Sequence, residues 1–240
     1  MRLHDFRVLT FDCYGTLIDW ESGIFAALQP LLQRCAPPPA RDAALEAFAR
    51  QESELEEASP RMLYSELLAE VHRRLARMWN VTMDDGDHAR FGASVPDWPA
   101  FADSPAALAY LKQHYKLVIL SNVHRAGFDA SNRRLGVVFD AVYTAQDIGS
   151  YKPNPANFQY LLQHLAETGV RMSDILHTAQ SLFHDHAPAK KFGLASAWID
   201  RRHDQSGWGA TMPAEGAAYD FHFPSLQAMA DAHRGEAGAR

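Results

Sequence analysis

Residues 8–16 read V-L-T-F-D-C-Y-G-T, and the reading of the whole chain turns on them. A β-branched and aromatic run that stops at an acid and a turn residue reads as a buried strand entering a loop. Asp12 is therefore expected at a strand's carboxyl end, and in an open α/β sheet that edge is where ligands bind. Gly15 supplies a tight turn and is expected to leave backbone N–H groups facing an anion. Aspartate also caps ordinary turns, so these nine residues alone leave Asp12 open between a chemical and a structural role.

Beyond that stretch the pattern becomes helical. Ile24, Leu28, Leu31 and Leu32 share a helix face, with Pro30 expected to kink or end the element. C-A-P-P-P-A at 35–40 breaks the chain, and Ala44, Leu45, Phe48 and Leu55 mark a second helix whose other face carries Glu46, Arg50 and Glu54. Ser59-Pro60 predicts the start of a third, serine as cap and proline in the first turn, running through Leu67, Leu68, Val71 and Leu75. No strand signal interrupts residues 21–80.

After V-P-D-W-P-A-F (95–101) strands and helices alternate. A helix starts at Ser104-Pro105, strands fall at 117–121 and 139–144, and Asn154-Pro155 caps a helix running to about Glu167. Strands at 175–178, 196–199 and 220–223, a helix near 185–192 and a last amphipathic helix complete the order, with 233–240 expected as a mobile tail. This predicts an α/β protein with a doubly wound, mainly parallel, Rossmann-like sheet. Residues 1–19 and 100–240 would form that core, with 20–99 inserted as an all-helical cap.

Composition narrows the partners. Hydrophobic residues at 47%, charged residues at 22% and a net charge of −6 are ordinary for a globular chain, and there is no basic footprint for nucleic acid. No apolar run approaches the roughly 20 residues that span a bilayer, and M-R-L-H-D-F-R lacks a signal-peptide stretch. Cys13 and Cys35 make no disulfide framework. A cytoplasmic protein with neither nucleic-acid nor membrane partner is expected. H-D-H at 184–186 is a weak metal signal, because residues two apart on a helix face apart and no second ligand cluster accompanies it.

Four more residues, at three places in the chain, are predicted on the edge that carries Asp12. Ser121 and Asn122 follow L-V-I-L, Lys152 follows I-G-S-Y, and Asp185 opens a helix after I-L-H-T-A-Q-S. Each alone also suits a cap or turn, but two acids, a hydroxyl, an amide and a lysine converging on one edge make a candidate site.

D-C-Y-G-T-L, S-N, Y-K-P and H-D-H-A-P-A-K-K-F-G-L resemble the four motifs of the haloacid dehalogenase superfamily over the full core, and the helical insertion resembles its cap. Tyr14 resembles the aromatic that type II (S)-2-haloacid dehalogenases carry where phosphatases have a second aspartate. F-D-C-Y-G-T-L-I-D-W, T-A-Q-D-I-G-S-Y-K-P-N-P, S-A-W-I and G-W-G-A-T are similar to the (S)-azetidine-2-carboxylate hydrolase branch.

The resemblance implies a hydrolase that needs no metal or other cofactor and acts on a small-molecule carboxylate. Asp12 would attack Cα of a 2-substituted acid in line, expel halide or a ring amine, and form an ester that water cleaves at the aspartyl carbonyl. Lys152 would hold Asp12 ionised and Thr16 would orient it. Ser121 and amides around Asn122 would hold the substrate carboxylate, and Asp185 would position or deprotonate water. Tyr14 and Arg50 are further substrate-binding candidates, Arg50 because A-R-Q-E-S-E-L-E (49–56) resembles the dehalogenase segment whose arginine contacts the leaving group. Glu21, where relatives carry a basic residue, favours a cationic ring.

The alternative is a magnesium-dependent phosphatase. Tyr14 in place of its acid and Gln180 in place of a metal-binding aspartate stand against it. Leu182 and Phe158 depart from an asparagine and a tyrosine of the dehalogenases, with His177 or His184 as candidate replacements for the lost polar group. Trp20, Trp79 and Trp98 are candidates to line an apolar pocket. Related dehalogenases are often dimers, so a homodimer is a possible assembly.

Overall fold

The computed structural model describes residues 1–214 and 216–238. Strand β1 (Val8–Phe11) is buried along its whole length. It lies between β2 (Lys116–Ser121) and β4 (Ile175–Ala179), parallel to both, with Phe11 opposite Ile119 and Thr178. Strand β3 (Ala141–Thr144) extends the sheet beyond β2, and β5 (Ala195–Ile199) and β6 (Phe221–Phe223) extend it beyond β4. The order is β3-β2-β1-β4-β5-β6, parallel throughout. Strands covered on both faces show apolar runs instead of alternation, which is why V-L-T-F and L-V-I-L-S were readable as core strands.

Alternate residues of these strands face two separate apolar clusters. Leu9, Phe11, Leu117 and Ile119 join one, with Leu108, Phe128 and Met229; Val8, Val118 and Leu120 join the other, with Phe158, Leu161 and Ala189. The first set of helices is α5 (Ser104–Leu111), α6 (Arg125–Leu135) and α10 (Leu226–Gly238); the second is α8 (Pro155–Glu167) and α9 (Ala187–Lys191). Successive strands step one way from β1 and the other way from β4. The crevice this leaves at their carboxyl ends is where open α/β sheets bind ligands, and Asp12 stands in it.

Between β1 and β2 the chain forms α1 (Trp20–Leu32), α2 (Arg41–Ala58), α3 (Tyr64–Met78) and α4 (Asp85–Gly92). Pro30 sits inside α1, two residues before its end. Ser59-Pro60 does not start α3 as expected. The Ser59 amide donates to Leu55 O at 2.8 Å and closes α2, while the carboxylate of Glu66, inside the first turn of α3, takes the Leu63 N–H at 3.4 Å. An acid three residues into the helix has replaced the cap that serine would have supplied. Helix α4 gave little sequence signal because D-G-D-H-A-R-F-G holds two glycines and one large apolar residue; Asp84 caps it by accepting from Asp87 N at 2.7 Å.

The expected helix near 185–192 begins earlier, with a π turn over Leu182–His186 that runs into α9. A short helix, α7 (Ala145–Ile148), follows β3 directly. The expected tail from 233 is also corrected: His233 lies in α10, 2% exposed, with its Nδ1 2.9 Å from Tyr110 Oη. Ala239 and Arg240 lie outside the described residues. Among the described residues no helix is long and apolar enough to cross a membrane.

Candidate active site

The pairing of β1 continues one residue past the strand, where Asp12 N donates to Thr178 O at 3.1 Å. The chain then folds back: Leu17 N and Ile18 N both donate to Cys13 O, and Gly15 N donates to Ile18 O at 2.8 Å. The Gly15 amide is thus used inside the turn, contrary to the expectation that it faces an anion. Glycine is required there, since φ is +89° and a Cβ would lie 2.9 Å from Trp20 Nε1. This turn brings Thr16 beneath Asp12. Its hydroxyl donates to Asp12 Oδ2 at 2.7 Å and accepts from Gln180 N at 2.9 Å.

Lys152 ties the edge together. Its ammonium donates to Asp12 Oδ1 at 2.9 Å, Asp185 Oδ1 at 2.7 Å and Leu120 O at 2.9 Å, which occupies all three of its protons. Asn122 fixes the lysine's backbone, accepting from Lys152 N at 2.7 Å and donating to Lys152 O at 2.9 Å. Asp185 Oδ1 also meets His177 Nε2 at 2.9 Å, and His177 Nδ1 meets Thr10 Oγ1 at 2.8 Å. Asp185 Oδ2 and Ser121 Oγ are buried without partners.

The lysine does not serve its two acids equally. Burial lifts the Asp12 carboxyl above the ordinary range, although Lys152 pulls the other way. Burial acts on Asp185 too, but Lys152 and His177 outweigh it and hold that carboxyl below its usual value. Lys152 thus favours the ionised form of both acids, and only at Asp185, where His177 adds to it, does that pull prevail over burial.

Asp12, Tyr14, Ser121, Asn122, Lys152 and Asp185 all line one small cavity, about 30 Å³ in volume. Tyr14 Oη bonds to Ser131 Oγ at 3.0 Å. Trp20 lines the same cavity, whereas Trp98 stands behind it, edge-on to Tyr14 with ring centroids 5.5 Å apart, and Trp79 is only partly buried against the core. His184 reaches the lining, and burial pushes its imidazole down to about 4. His177 and Phe158 lie deeper, ring against ring at 5.1 Å. Leu182 is outside the lining.

Two expected residues are elsewhere. Arg50 is exposed, 3.8 Å from Glu46 and over the Trp208 ring at 5.6 Å. The cavity side of α2 carries Glu52 and Glu56, and a residue two positions from Glu52 on a helix points away from it. Glu21 binds Arg202 Nη1 at 2.5 Å and Ala210 N at 2.8 Å, so both its oxygens are engaged outside the cavity.

Glu52 and Glu56 of α2 and Tyr64 of α3 complete the lining from the helical side, and sequence reading missed all three. A signal existed: Leu45, Phe48, Glu52 and Leu55 follow the helical spacing of one face, so Glu52 occupies an apolar position. Glu56 follows one turn later.

The donor set does not fit a magnesium ion, which takes near-octahedral oxygen ligation. The Lys152 ammonium already bridges Asp12 Oδ1 and Asp185 Oδ1, Tyr14 is turned to Ser131, and Gln180 Oε1 accepts from Thr211 Oγ1 at 3.2 Å.

Residues 6–178 match the haloacid dehalogenase-like hydrolases, and the chain belongs to that family of hydrolases. It is 26% identical over 205 residues to (S)-2-haloacid dehalogenase 4A of Burkholderia cepacia, covering 82% of this chain and 84% of that protein. In fold it is similar to the L-2-haloacid dehalogenase from Xanthobacter autotrophicus with chloropropionic acid covalently bound, at a TM-score of 0.76 and 20% identity over 96% of this chain and 99% of that one. The HAD-hydrolase YfnB from Bacillus subtilis, bound to magnesium, is similar in fold at a TM-score of 0.76 and 17% identity, covering 98% of this chain and 100% of that one.

Proposed function

We propose that this hydrolase displaces the leaving group at Cα of a small 2-substituted carboxylic acid through an ester of Asp12, without a metal, while residues 20–99 act as a cap over the reaction. The substrate is a 2-haloacid or azetidine-2-carboxylate. One observation carries the reading: Asp12 has one oxygen held by Thr16 and the other by Lys152, and that lysine is anchored from behind by Asp185.

In the first step an Asp12 oxygen bonds to Cα as the leaving group departs with its electron pair, inverting Cα. Ser121 Oγ is free to donate to the substrate carboxylate. Ester formation removes the charge of Asp12, so Lys152 then faces a carbonyl oxygen that gains negative charge as water attacks, the arrangement that stabilises an oxyanion. Asp185 Oδ2 is free to orient that water; a carboxyl held so far down is a better orienter than proton acceptor. The cavity is too small for a four-carbon acid, so the cap opens to admit one.

The test is a single turnover in 18O-labelled water with (S)-2-chloropropionate and (S)-azetidine-2-carboxylate, no metal added, alongside Asp12→Asn. The expected result is label in the Asp12 carboxylate and an inverted product from the wild type, and no conversion by the variant. Label found only in product, or retained configuration, would overturn the ester mechanism.

A further inference from the structure

The wall that α2 turns toward Asp12 is acidic and has no cation of its own. Glu52 and Glu56, one helical turn apart, are 4% and 6% exposed and both line the cavity. Their hydrogen bonds come from neutral donors: Tyr64 Oη to Glu52 Oε1 at 2.6 Å, and Asn122 Nδ2 to Glu56 Oε1 at 3.1 Å. His184 Nε2 is 3.8 Å from Glu56 Oε2, but burial keeps that imidazole neutral. Four acids of the lining, Asp12, Glu52, Glu56 and Asp185, thus share one lysine, and its protons are already committed. Two further atoms of the same lining, Ser121 Oγ and Asp185 Oδ2, have no partner.

Buried carboxylates without a counter-charge either keep their protons or take up a cation. Burial pushes Glu52 up to about 8 and lifts Glu56 well above the carboxylate range. Beside a substrate that brings only negative charge neither carboxyl gains a counter-charge, and the pair stays protonated. It complements one that carries a protonated nitrogen beside its carboxylate.

Building on Asp12 as the Cα nucleophile, we propose that Glu52 and Glu56 bind the protonated ring nitrogen of a strained cyclic 2-amino acid and supply the proton that the released amine takes up. As the Asp12 oxygen bonds to Cα, the Cα–N bond breaks and its electron pair stays on nitrogen, leaving a neutral primary amine. A protonated carboxyl of the pair gives that amine its proton, and the resulting carboxylate becomes the counter-ion of the ammonium. The negative charge that Asp12 loses on forming the ester thereby reappears on the opposite wall. Ester hydrolysis restores the Asp12 carboxylate and releases one proton, which recharges the pair, so ring amine plus water becomes the open amino hydroxy acid.

Two readouts test this. In the first, Asp12→Asn protein is titrated calorimetrically with (S)-azetidine-2-carboxylate and with cyclobutanecarboxylate, a ring of the same size without nitrogen. Binding at least tenfold tighter for the amine, abolished when Glu56→Gln or Glu52→Gln is added, is the expected result; equal binding of the two rings overturns the proposal. In the second, the ratio of kcat/KM for (S)-azetidine-2-carboxylate over that for (S)-2-chloropropionate is expected to fall on the order of 100-fold in Glu56→Gln, and an unchanged ratio overturns the proposal. An amine preference in binding with neither substrate turned over would overturn the Cα chemistry and leave ammonium recognition by the pair standing. Either glutamine variant suffices should the other fail to fold.

Discussion

The two walls of the cavity hold their acids by opposite means. On the sheet side Asp12 and Asp185 converge on Lys152, with Thr16 on the other oxygen of Asp12 and His177 on the same oxygen of Asp185. On the helical side Glu52 and Glu56 accept hydrogen bonds from Tyr64 and Asn122, both neutral. In the first arrangement an opposite charge offsets desolvation, fully at Asp185 and in part at Asp12. In the second, hydrogen bonds from neutral groups offset desolvation only in part, and burial raises both carboxyls. On the proposed mechanism such a pocket sets the nucleophile on one side and exchangeable protons on the other.

Removing the lysine breaks that contrast most severely. Lys152→Met leaves Asp12 and Asp185 buried, adjacent and uncompensated, and loss of one partner from a buried ion pair costs about 3–5 kcal/mol. Thermal melts are expected to show a large drop in stability, and turnover of the substrates proposed here should fall by roughly 10⁴-fold or more, about 5.5 kcal/mol of barrier. Adding Asp185→Asn should recover part of the stability, since one orphaned charge then disappears, and none of the activity. A Lys152→Met protein as stable as the wild type would mean that the three groups are not a coupled ion system.

The helical wall is sharpened by pH. Glu52 ionises near 4.5 in an unfolded chain but only at about 8 in the folded protein. Between those values the folded state holds the extra proton, so stability falls as pH rises, by up to about 1.4 kcal/mol per pH unit, and the loss is complete above about pH 8. Glu56, Tyr64, Tyr151, Lys152 and His184 also face or adjoin this wall, so the comparison must be with Glu52→Gln, which removes one titration and leaves the others. The melting temperature of the variant is expected to gain on the wild type steadily from pH 5 to pH 8. A difference that does not vary over that range would show that Glu52 is ionised in the fold.

A smaller effect is expected from Tyr64→Phe, which removes the hydroxyl bonded to Glu52 at 2.6 Å. One hydrogen bond to a buried group is worth about 1 kcal/mol net. Since that bond favours the ionised form of Glu52, its loss should shift the pH-dependent destabilisation to higher pH. Melts of this variant across the same range, with a midpoint moved the other way, would reverse the assigned donor and acceptor.

The sheet wall was legible in the sequence and the helical wall was not, for a physical reason. Asp12 and Ser121 stand at or just past the ends of apolar strands, and Asp185 lies in the turn that follows β4, all on the edge where the parallel topology itself dictates convergence. V-L-T-F and L-V-I-L could be placed because strands buried on both faces carry unbroken apolar runs. Glu52 and Glu56 lie mid-helix in a segment rich in charge, where Arg50 and Glu54 are solvated neighbours, and only the period of Leu45, Phe48 and Leu55 separates inner from outer positions. The capping of α3 by Glu66 and the π turn ahead of α9 were hidden in the same way: each depends on which of several competing local hydrogen bonds the tertiary packing selects.

Arg50 gives the smallest effect and the sharpest check on that reading of α2. It stands two residues before Glu52, 3.8 Å from Glu46 and over the Trp208 ring. An exposed i,i+4 pair contributes about 0.3–0.5 kcal/mol, and an exposed cation–π contact about 0.5–1 kcal/mol. Arg50→Ala is therefore expected to lower stability by about 1 kcal/mol or less and to leave kcat/KM within about threefold of the wild type, because truncating a group that touches neither substrate nor its contacts removes no transition-state interaction. A loss of 100-fold in kcat with unchanged stability would place the guanidinium against the leaving group, which requires α2 to turn by more than a quarter of a revolution as the cap closes. That rotation would carry Glu52 and Glu56 off the wall, so one measurement on an exposed arginine distinguishes an anion-accepting cap from an ammonium-accepting one.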